Sequence, residues 1–254
     1  MNAKTSGAIA YLFPTPRSSK NTIYINVVEK YQCTNSCRFC GRTDAIRGRP
    51  NMYEKSAGAN LYLAKAPKVE AIMREAGTMM KTSHFGLGGS EEIAFVGLGE
   101  PLIQFKLVCE TIRTLRGSGY TGGIRVDTNG LIKCMSQAQA SGRSGLIQPN
   151  PASALREAGL TDIRISVNAT NPDEYEKLCR PRFGNAFENI CGFVRDCMNE
   201  GIQTFASFVV GFSDGVVKTR SEREYITFAS SLGIESNKVI LRGYIPPSAE
   251  EKSN

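Results

Sequence analysis

From residue 22 to residue 245 the sequence alternates between two periods. Nearly unbroken apolar runs such as TIYINVV, IAFVGL and FASFVVGF read as strands covered on both faces. Between the strand-like runs lie segments of helical character: KVEAIMREAGTMMK, FKLVCETIRTLRGSG, PNPASALREAGL, AFENICGFVRDCMNEG and SEREYITFASSLG. The helical period is explicit in Phe187, Ile190, Cys191, Val194 and Met198, which recur at i, i+3, i+4, i+7 and i+11. About six such units follow one another without internal sequence repeats, the pattern of an α/β chain with a parallel sheet. Six strands are too few to close an eight-stranded barrel. The expected fold is therefore a partial, open (βα)6 TIM-like barrel whose site lies at the C-terminal strand ends.

The expected organisation is a single domain over residues 1–254, with an N-terminal hairpin arm at 1–21, a barrel core at 22–245 and a tail at 246–254. In the arm, GAIAYLF and TIYINVV flank the turn-forming PTPRSSKN, which predicts a hairpin leading into the core. The first acidic residue is Glu29, and the basic, serine-bearing opening echoes an organelle transit peptide, but the hairpin explains it more simply. Two stretches break the βα rhythm: residues 43 to 90, with a helical middle and a Gly-rich end, and residues 131 to 149, a polar loop after a strand end. Both read as functional loops or as variable surface loops.

No run of eighteen apolar residues is present, so no membrane partner is expected. Lysine and arginine exceed the acids by 31 to 24, a formal charge of +7, spread along the chain rather than gathered into a block. That balance admits an anionic cofactor, an anionic small substrate or RNA. Eight cysteines without a secretory leader read as reduced thiols or metal ligands, and the expected compartment is the cytoplasm.

Three of those cysteines, Cys33, Cys37 and Cys40, fall within YQCTNSCRFCGR, and no fourth follows for nearly seventy residues. Several thiols in so short a loop suit zinc or an iron–sulfur cluster. Zinc needs a fourth ligand, and the single histidine, His84, supplies one possibility. That alternative describes a zinc-knuckle nucleic-acid-binding protein, which would want aromatic residues interleaved with arginines; the chain has no tryptophan and no such cluster. In a [4Fe-4S] cluster, three cysteines leave one iron open, and the missing fourth thiol becomes the point.

The C-x3-C-x2-C spacing, with Phe39 before the last cysteine and the whole after an early strand, resembles the cluster loop of the radical S-adenosylmethionine superfamily. Further motifs follow in order at successive strand ends. Gly97-Leu98-Gly99-Glu100-Pro101 resembles the family's GGEP motif, with Leu98 as a departure; RVDTNG brings Asn129; DIRISVNA brings Ser166 and Asn168, on one face by the period-2 rule; TFASFVVGF brings Gly211 at its strand end. The resemblance covers roughly residues 22 to 245. It implies that Cys33, Cys37 and Cys40 hold a [4Fe-4S] cluster and that S-adenosyl-L-methionine is bound by Gly97, Gly99, Glu100, Asn129, Ser166, Asn168 and Arg242. It also implies reductive cleavage to a 5′-deoxyadenosyl radical, a small-molecule substrate, and an electron donor such as flavodoxin or ferredoxin. It assigns no residue to the substrate's own chemistry, and nucleic acid stays open as a partner. Within the superfamily, TNSCRFC, DTNGL, SVNATNPDEYEKLCRP and ILRGY look most like the small radical enzymes encoded beside TatD-type nucleases. Relatives of 7-carboxy-7-deazaguanine synthase and of glycyl-radical activases share the core and stay as alternatives.

Arg42 reads either as a residue that tunes the cluster's charge or as a solvated arginine. Cys109 and Cys191 fall on apolar helix faces and are expected in the core. Cys134, Cys179 and Cys197 share no tight ligand spacing, so no second cluster is expected. Cys179, ahead of Arg180-Pro181-Arg182, reads as a helix-terminal cysteine beside solvated arginines, with anion binding as the alternative.

Overall fold

The structure is a computed structural model and describes residues 7–13, 21–48, 52–82, 91–135 and 150–246. Its strands are β1 (Ala10–Tyr11), β2 (Asn21–Asn26), β3 (Glu91–Val96), β4 (Gly123–Thr128), β5 (Asp162–Ser166), β6 (Gln203–Val210) and β7 (Val239–Gly243). They form one sheet in sequence order. β1 pairs antiparallel with β2, Ala10 opposite Ile25 and Tyr11 opposite Tyr24, as the hairpin expectation requires. The remaining pairings, β2 through β7, are all parallel. A parallel sheet wound in strict order sends each crossover to the same face, so the helices cover one side and the sheet curls around the other. β1 and β7 are the two edges, and the barrel is open.

The helices are α1 (Arg42–Ile46), α2 (Met52–Ala57), α3 (Val69–Thr82), α4 (Phe105–Gly117), α5 (Pro151–Ala158), α6 (Pro172–Cys179), α7 (Ala186–Asn199) and α8 (Glu222–Ser231). Their starts are written in local chemistry. Asn150 caps α5 and Asn171 caps α6, each followed by a proline at the first helical position. Ser221 and Glu224 form a capping box at α8.

The period-2 alternation divides the sheet into two unlike faces. On the helix side Ile23, Ile25, Ile93, Phe95, Ile124, Val126, Ile163, Ile165 and Phe208 join Ile72, Val108, Ile112, Leu155, Ile190 and Phe193 from the helices in one buried core. Cys109 and Cys191 lie in it as expected, as do Cys134 and Cys197. The concave side carries Thr22, Tyr24, Glu92, Arg125, Asp127, Asp162, Arg164, Ser166, Ser207 and Arg242. Apolar packing holds the sheet from outside and leaves the lumen polar.

Two loop expectations need correction. The stretch from 43 to 90 has the expected helical middle, which is α3, and before it two short helices that the loop reading did not include, α1 and α2. The segment beginning at residue 131 is not a polar loop from its start: Leu131, Ile132 and Cys134 are buried, and Met135 N donates to Leu131 O at 3.2 Å. Residues 136–149, and His84 with the Gly-rich end around it, lie outside the described residues. Among the described residues no helix is long and apolar enough to cross a membrane.

Candidate functional site

The cysteine loop leaves β2 and is fastened from three directions. On the first side it lies on the C-terminal end of α6, where the last carbonyls of a helix are free to accept. Ser36 N donates to Cys179 O at 3.1 Å, Arg38 N to Leu178 O at 3.0 Å, and Arg182 N returns a bond to Thr34 O at 3.0 Å. Asn35 Nδ2 donates to the buried Tyr175 hydroxyl at 2.8 Å. On the second side Arg42, only 7% exposed, reaches back into the loop and donates to Tyr31 O at 3.2 Å and Asn35 O at 2.7 Å. Of the two readings of Arg42, the solvated one fails.

The third side is the turn after β4. Asn129 Nδ2 donates to Thr34 Oγ1 at 2.7 Å and lies 3.7 Å from Cys33 Sγ, while Asn129 Oδ1 accepts from Leu131 N at 3.1 Å. Glu100 braces that turn against the one after β3. Its Oε1 accepts from Leu102 N at 2.9 Å and Thr128 Oγ1 at 2.7 Å, and its Oε2 accepts from Asn129 N at 2.7 Å. Burial pushes the Glu100 carboxyl up to about 7 even though those three donors favour its ionised form.

Gly97 and Gly99 are demanded by proximity. A Cβ at Gly97 would fall 2.4 Å from Val28 Cγ2 and 2.9 Å from Asn26 Oδ1. One at Gly99, where φ is +150°, would fall 2.1 Å from Gln32 O. Glu100 N donates to that same Gln32 carbonyl at 2.9 Å. The Gly-Leu-Gly-Glu turn is thus packed against Asn26, Val28 and Gln32, along the path from β2 into Cys33.

Ser166 and Asn168 are placed differently from each other. β5 ends at Ser166, whose hydroxyl lies 3.3 Å from Ser207 Oγ on β6. Beyond it the chain leaves the extended conformation, Asn168 takes a φ of +59°, and its Oδ1 accepts from Val209 N at 3.1 Å. The period-2 extrapolation that put both on one face stops at the strand end. Asn168 instead fastens β5 to β6, with Tyr225 Oη donating to its carbonyl at 3.2 Å. Arg242, near the end of β7, has its guanidinium 3.8 Å from Asp127 of β4. Gly211 ends β6 with φ +80° and open space at its Cβ position. Phe39, Phe212 and Tyr244 meet edge to face at 6.1 and 4.9 Å on this rim.

The three thiols are themselves buried enough to be poor thiolates on their own. Burial raises the Cys33 pKa to about 12 and raises that of Cys40. The Cys37 pKa rises chiefly through a hydrogen bond with the Cys179 thiol and then through burial. Arg42 is the cation that opposes the rise at all three. Soft ligands held in place but held neutral fit a site completed by a cationic metal group, whose charge makes thiolates of them. Among the described residues no three Cys, His, Asp or Glu side chains surround one ion-sized point; in a four-iron cluster each thiol meets a different iron, so its ligands stand apart.

Sequence reasoning did not find Thr34, Asn35, Thr128, Tyr175 or the proximity of Cys179 to Cys37. Each acts through a partner from 28 to 140 residues away, and no local pattern marks such a partner.

No protein-family model matches the chain. Two curated relatives are GTP 3′,8-cyclases: that of Alkaliphilus oremlandii is 23% identical over 203 residues, and that of Pelotomaculum thermopropionicum 24% over 233. The alignments cover 79% and 89% of this chain but 52% and 61% of the relatives, so the chain spans a little over half of their length. Among solved structures, anSMEcpe with bound S-adenosylmethionine superposes with a TM-score of 0.56 at 15% identity, over 91% of this chain and 54% of that one. The fold is that of this S-adenosylmethionine-bound structure, with a mixed, open and mostly parallel sheet, as the βα alternation predicts.

Proposed function

We propose that the protein is a radical S-adenosylmethionine enzyme whose Cys33, Cys37 and Cys40 hold a [4Fe-4S] cluster with one iron left for S-adenosylmethionine. The observation that supports this most strongly is the fastening of one three-cysteine loop by the turns after β3 and β4, through Glu100, Asn129 and the two close-packed glycines. When bound, the cluster and cofactor supply one-electron cleavage of the sulfonium to a 5′-deoxyadenosyl radical, which takes hydrogen from a substrate.

The chain's own residues bind, orient and exclude water. Arg42 and the α6 carbonyls fix the loop so that the thiols stay in register. Gly97 and Gly99 bring backbone close to the β2 end, where a Cβ would leave no room for approach. Glu100 acts first as the brace between two turns, and its fully engaged carboxylate makes it a positioning residue. Ser166, beside the Ser207 hydroxyl, presents hydroxyls to the lumen at the level where a ribose is expected. Phe39, Phe212 and Tyr244 provide an apolar rim that keeps water from the reacting end. Asn168 and Arg242 stay in the proposed cofactor shell, with Asn168 acting through the backbone of β6.

Within the superfamily, the finer assignment to the TatD-nuclease-associated radical enzymes rests on the strings TNSCRFC, SVNATNPDEYEKLCRP and ILRGY. The cytoplasm is the compartment in keeping with reduced thiols, and the electron donor is a flavodoxin or ferredoxin type of carrier.

The test is anaerobic reconstitution with iron and sulfide, followed by S-adenosylmethionine and a strong reductant. 5′-Deoxyadenosine should form, and Cys37→Ala should abolish it. A protein that carries zinc and forms no nucleoside overturns the reading.

A further inference from the structure

The concave face of the sheet holds a charge cluster of which the proposed cofactor takes only Arg242, at the rim. Arg125, 1% exposed, forms an ion pair with Glu92, which also accepts from Thr22 Oγ1 at 3.1 Å. Arg125 Nε lies 2.8 Å from Asp127 Oδ1 but outside hydrogen-bond geometry, so both atoms, together with Arg125 Nη2, are buried without a hydrogen-bond partner. Asp127 in turn faces Arg242 from β7 at 3.8 Å. β4 and β7 are three strand spacings apart, about 14 Å on a flat sheet, so this contact crosses the curled lumen. Arg164 stands in β5 directly beside Asp127 in the register, and its Nε is buried with no hydrogen-bond partner among the described residues.

Three guanidiniums face Glu92, Asp127 and, two residues below Arg164 on the same strand face, Asp162, yet Arg164 Nε and Arg125 Nη2 find no acceptor among the described residues. A buried guanidinium edge without an acceptor is costly, and the cost is removed by an anion that accepts from it. Burial first, then the neighbouring charges of Arg125 and Arg242, press on Arg164, and Asp127 and Glu92 offset part of this. Its position is also informative. Arg164 lies two residues below Ser166 on the same strand face, about 6–7 Å toward the barrel floor. The proposed cofactor sits above, at the strand ends.

Building on the radical-enzyme reading, we propose that the lumen is a substrate subsite in which Arg164, supported by Arg125 and Arg242, receives the carboxylate of an anionic small-molecule substrate. The two oxygens of a carboxylate match the two-pronged geometry of a guanidinium. The substrate's hydrogen-bearing carbon would then project upward from its anchored carboxylate toward the strand ends.

The test is made on full-length protein labelled with 15N-arginine, as purified and after reconstitution, without reductant. The Nε–H resonance of Arg164 is assigned by its loss in Arg164→Lys, and acetate, inorganic phosphate and neutral acetamide are titrated at constant ionic strength with chloride as the balancing ion. The expected result is a saturable acetate shift at Arg164, none with acetamide, and phosphate saturating at no lower concentration. In Arg164→Gln, the acetate response read at Arg125 should weaken by at least about tenfold, the scale of a lost charge-assisted pair. An unsaturating response to every anion overturns the subsite, and tighter saturation by phosphate overturns the carboxylate. If S-adenosylmethionine alone saturates Arg164 and blocks acetate, the residue belongs to the cofactor and the inference fails. Silence at Arg164 in protein that still cleaves S-adenosylmethionine sinks this inference alone; an acetate response without cleavage sinks the cofactor reading alone.

Discussion

Glu100 shows how one carboxylate can be held between opposing forces. Three donors surround it, yet burial dominates and its pKa rises from 4.5 to about 7. A folded-state pKa above the unfolded one means that the native chain binds more protons between those values, so the contribution of this group to stability is most favourable below about pH 4.5 and is lost as the pH rises to 7. The loss from this group alone is up to about 3 kcal/mol. Urea unfolding of the cluster-free protein across that window should show the decline, and Glu100→Gln should flatten it; an unchanged slope in the variant would assign the pH dependence elsewhere. Gly99 is constrained by space. Gly99→Ala places a methyl 2.1 Å from Gln32 O at a φ of +150°, and the expected cost is about 2–4 kcal/mol. Because Gln32 precedes Cys33, iron bound per chain after reconstitution should fall with stability. Full iron content in Gly99→Ala would show that the loop tolerates the displacement.

At the level of elements, the cysteine loop is a guest on α6. Its amides at Ser36 and Arg38 donate to the last carbonyls of that helix, so both should be protected from hydrogen exchange before any cluster is bound. Exchange at the rate of an open coil in the cluster-free protein would contradict this docking. Arg42 locks the same loop from within, and Arg42→Met, which removes its bonds to Tyr31 O and Asn35 O, should destabilise the fold by about 2–4 kcal/mol. Neither attachment is legible in the sequence. The C-x3-C-x2-C spacing announces a ligand set, but the partners that hold it, Leu178, Cys179, Asn129 and Tyr175, come from elements far along the chain. Strands and helices were legible because their periods are local: Phe187, Ile190, Cys191 and Val194 are buried as their spacing requires. Asn168 shows the limit of such reasoning, since alternation says nothing about where a strand stops.

The whole molecule separates two environments across one sheet. Outside, isoleucines and phenylalanines pack under the helices; Phe95→Ala, at a fully buried position, should cost about 3–5 kcal/mol by chemical denaturation, and a much smaller loss would place the stabilising core elsewhere. Inside, arginines and acids line a lumen that apolar packing does not need. The apolar face was readable because hydrophobic burial follows period 2. The polar face was not, because Glu92 on β3, Arg125 and Asp127 on β4 and Arg164 on β5 meet only through strand pairing, and Arg242 on β7 joins them only through the curl of the sheet. At the rim of this lumen, the three thiols of one loop are held by turns that also border the proposed cofactor site. The central claim is that this arrangement leaves one iron of a four-iron cluster open to S-adenosylmethionine. The electron paramagnetic resonance spectrum of the reduced, reconstituted protein, recorded with and without S-adenosylmethionine, tests it directly. The account predicts a four-iron signal whose g-values change when S-adenosylmethionine is added and which is lost in Cys37→Ala; a signal indifferent to S-adenosylmethionine, or none because the thiols hold zinc, would contradict it.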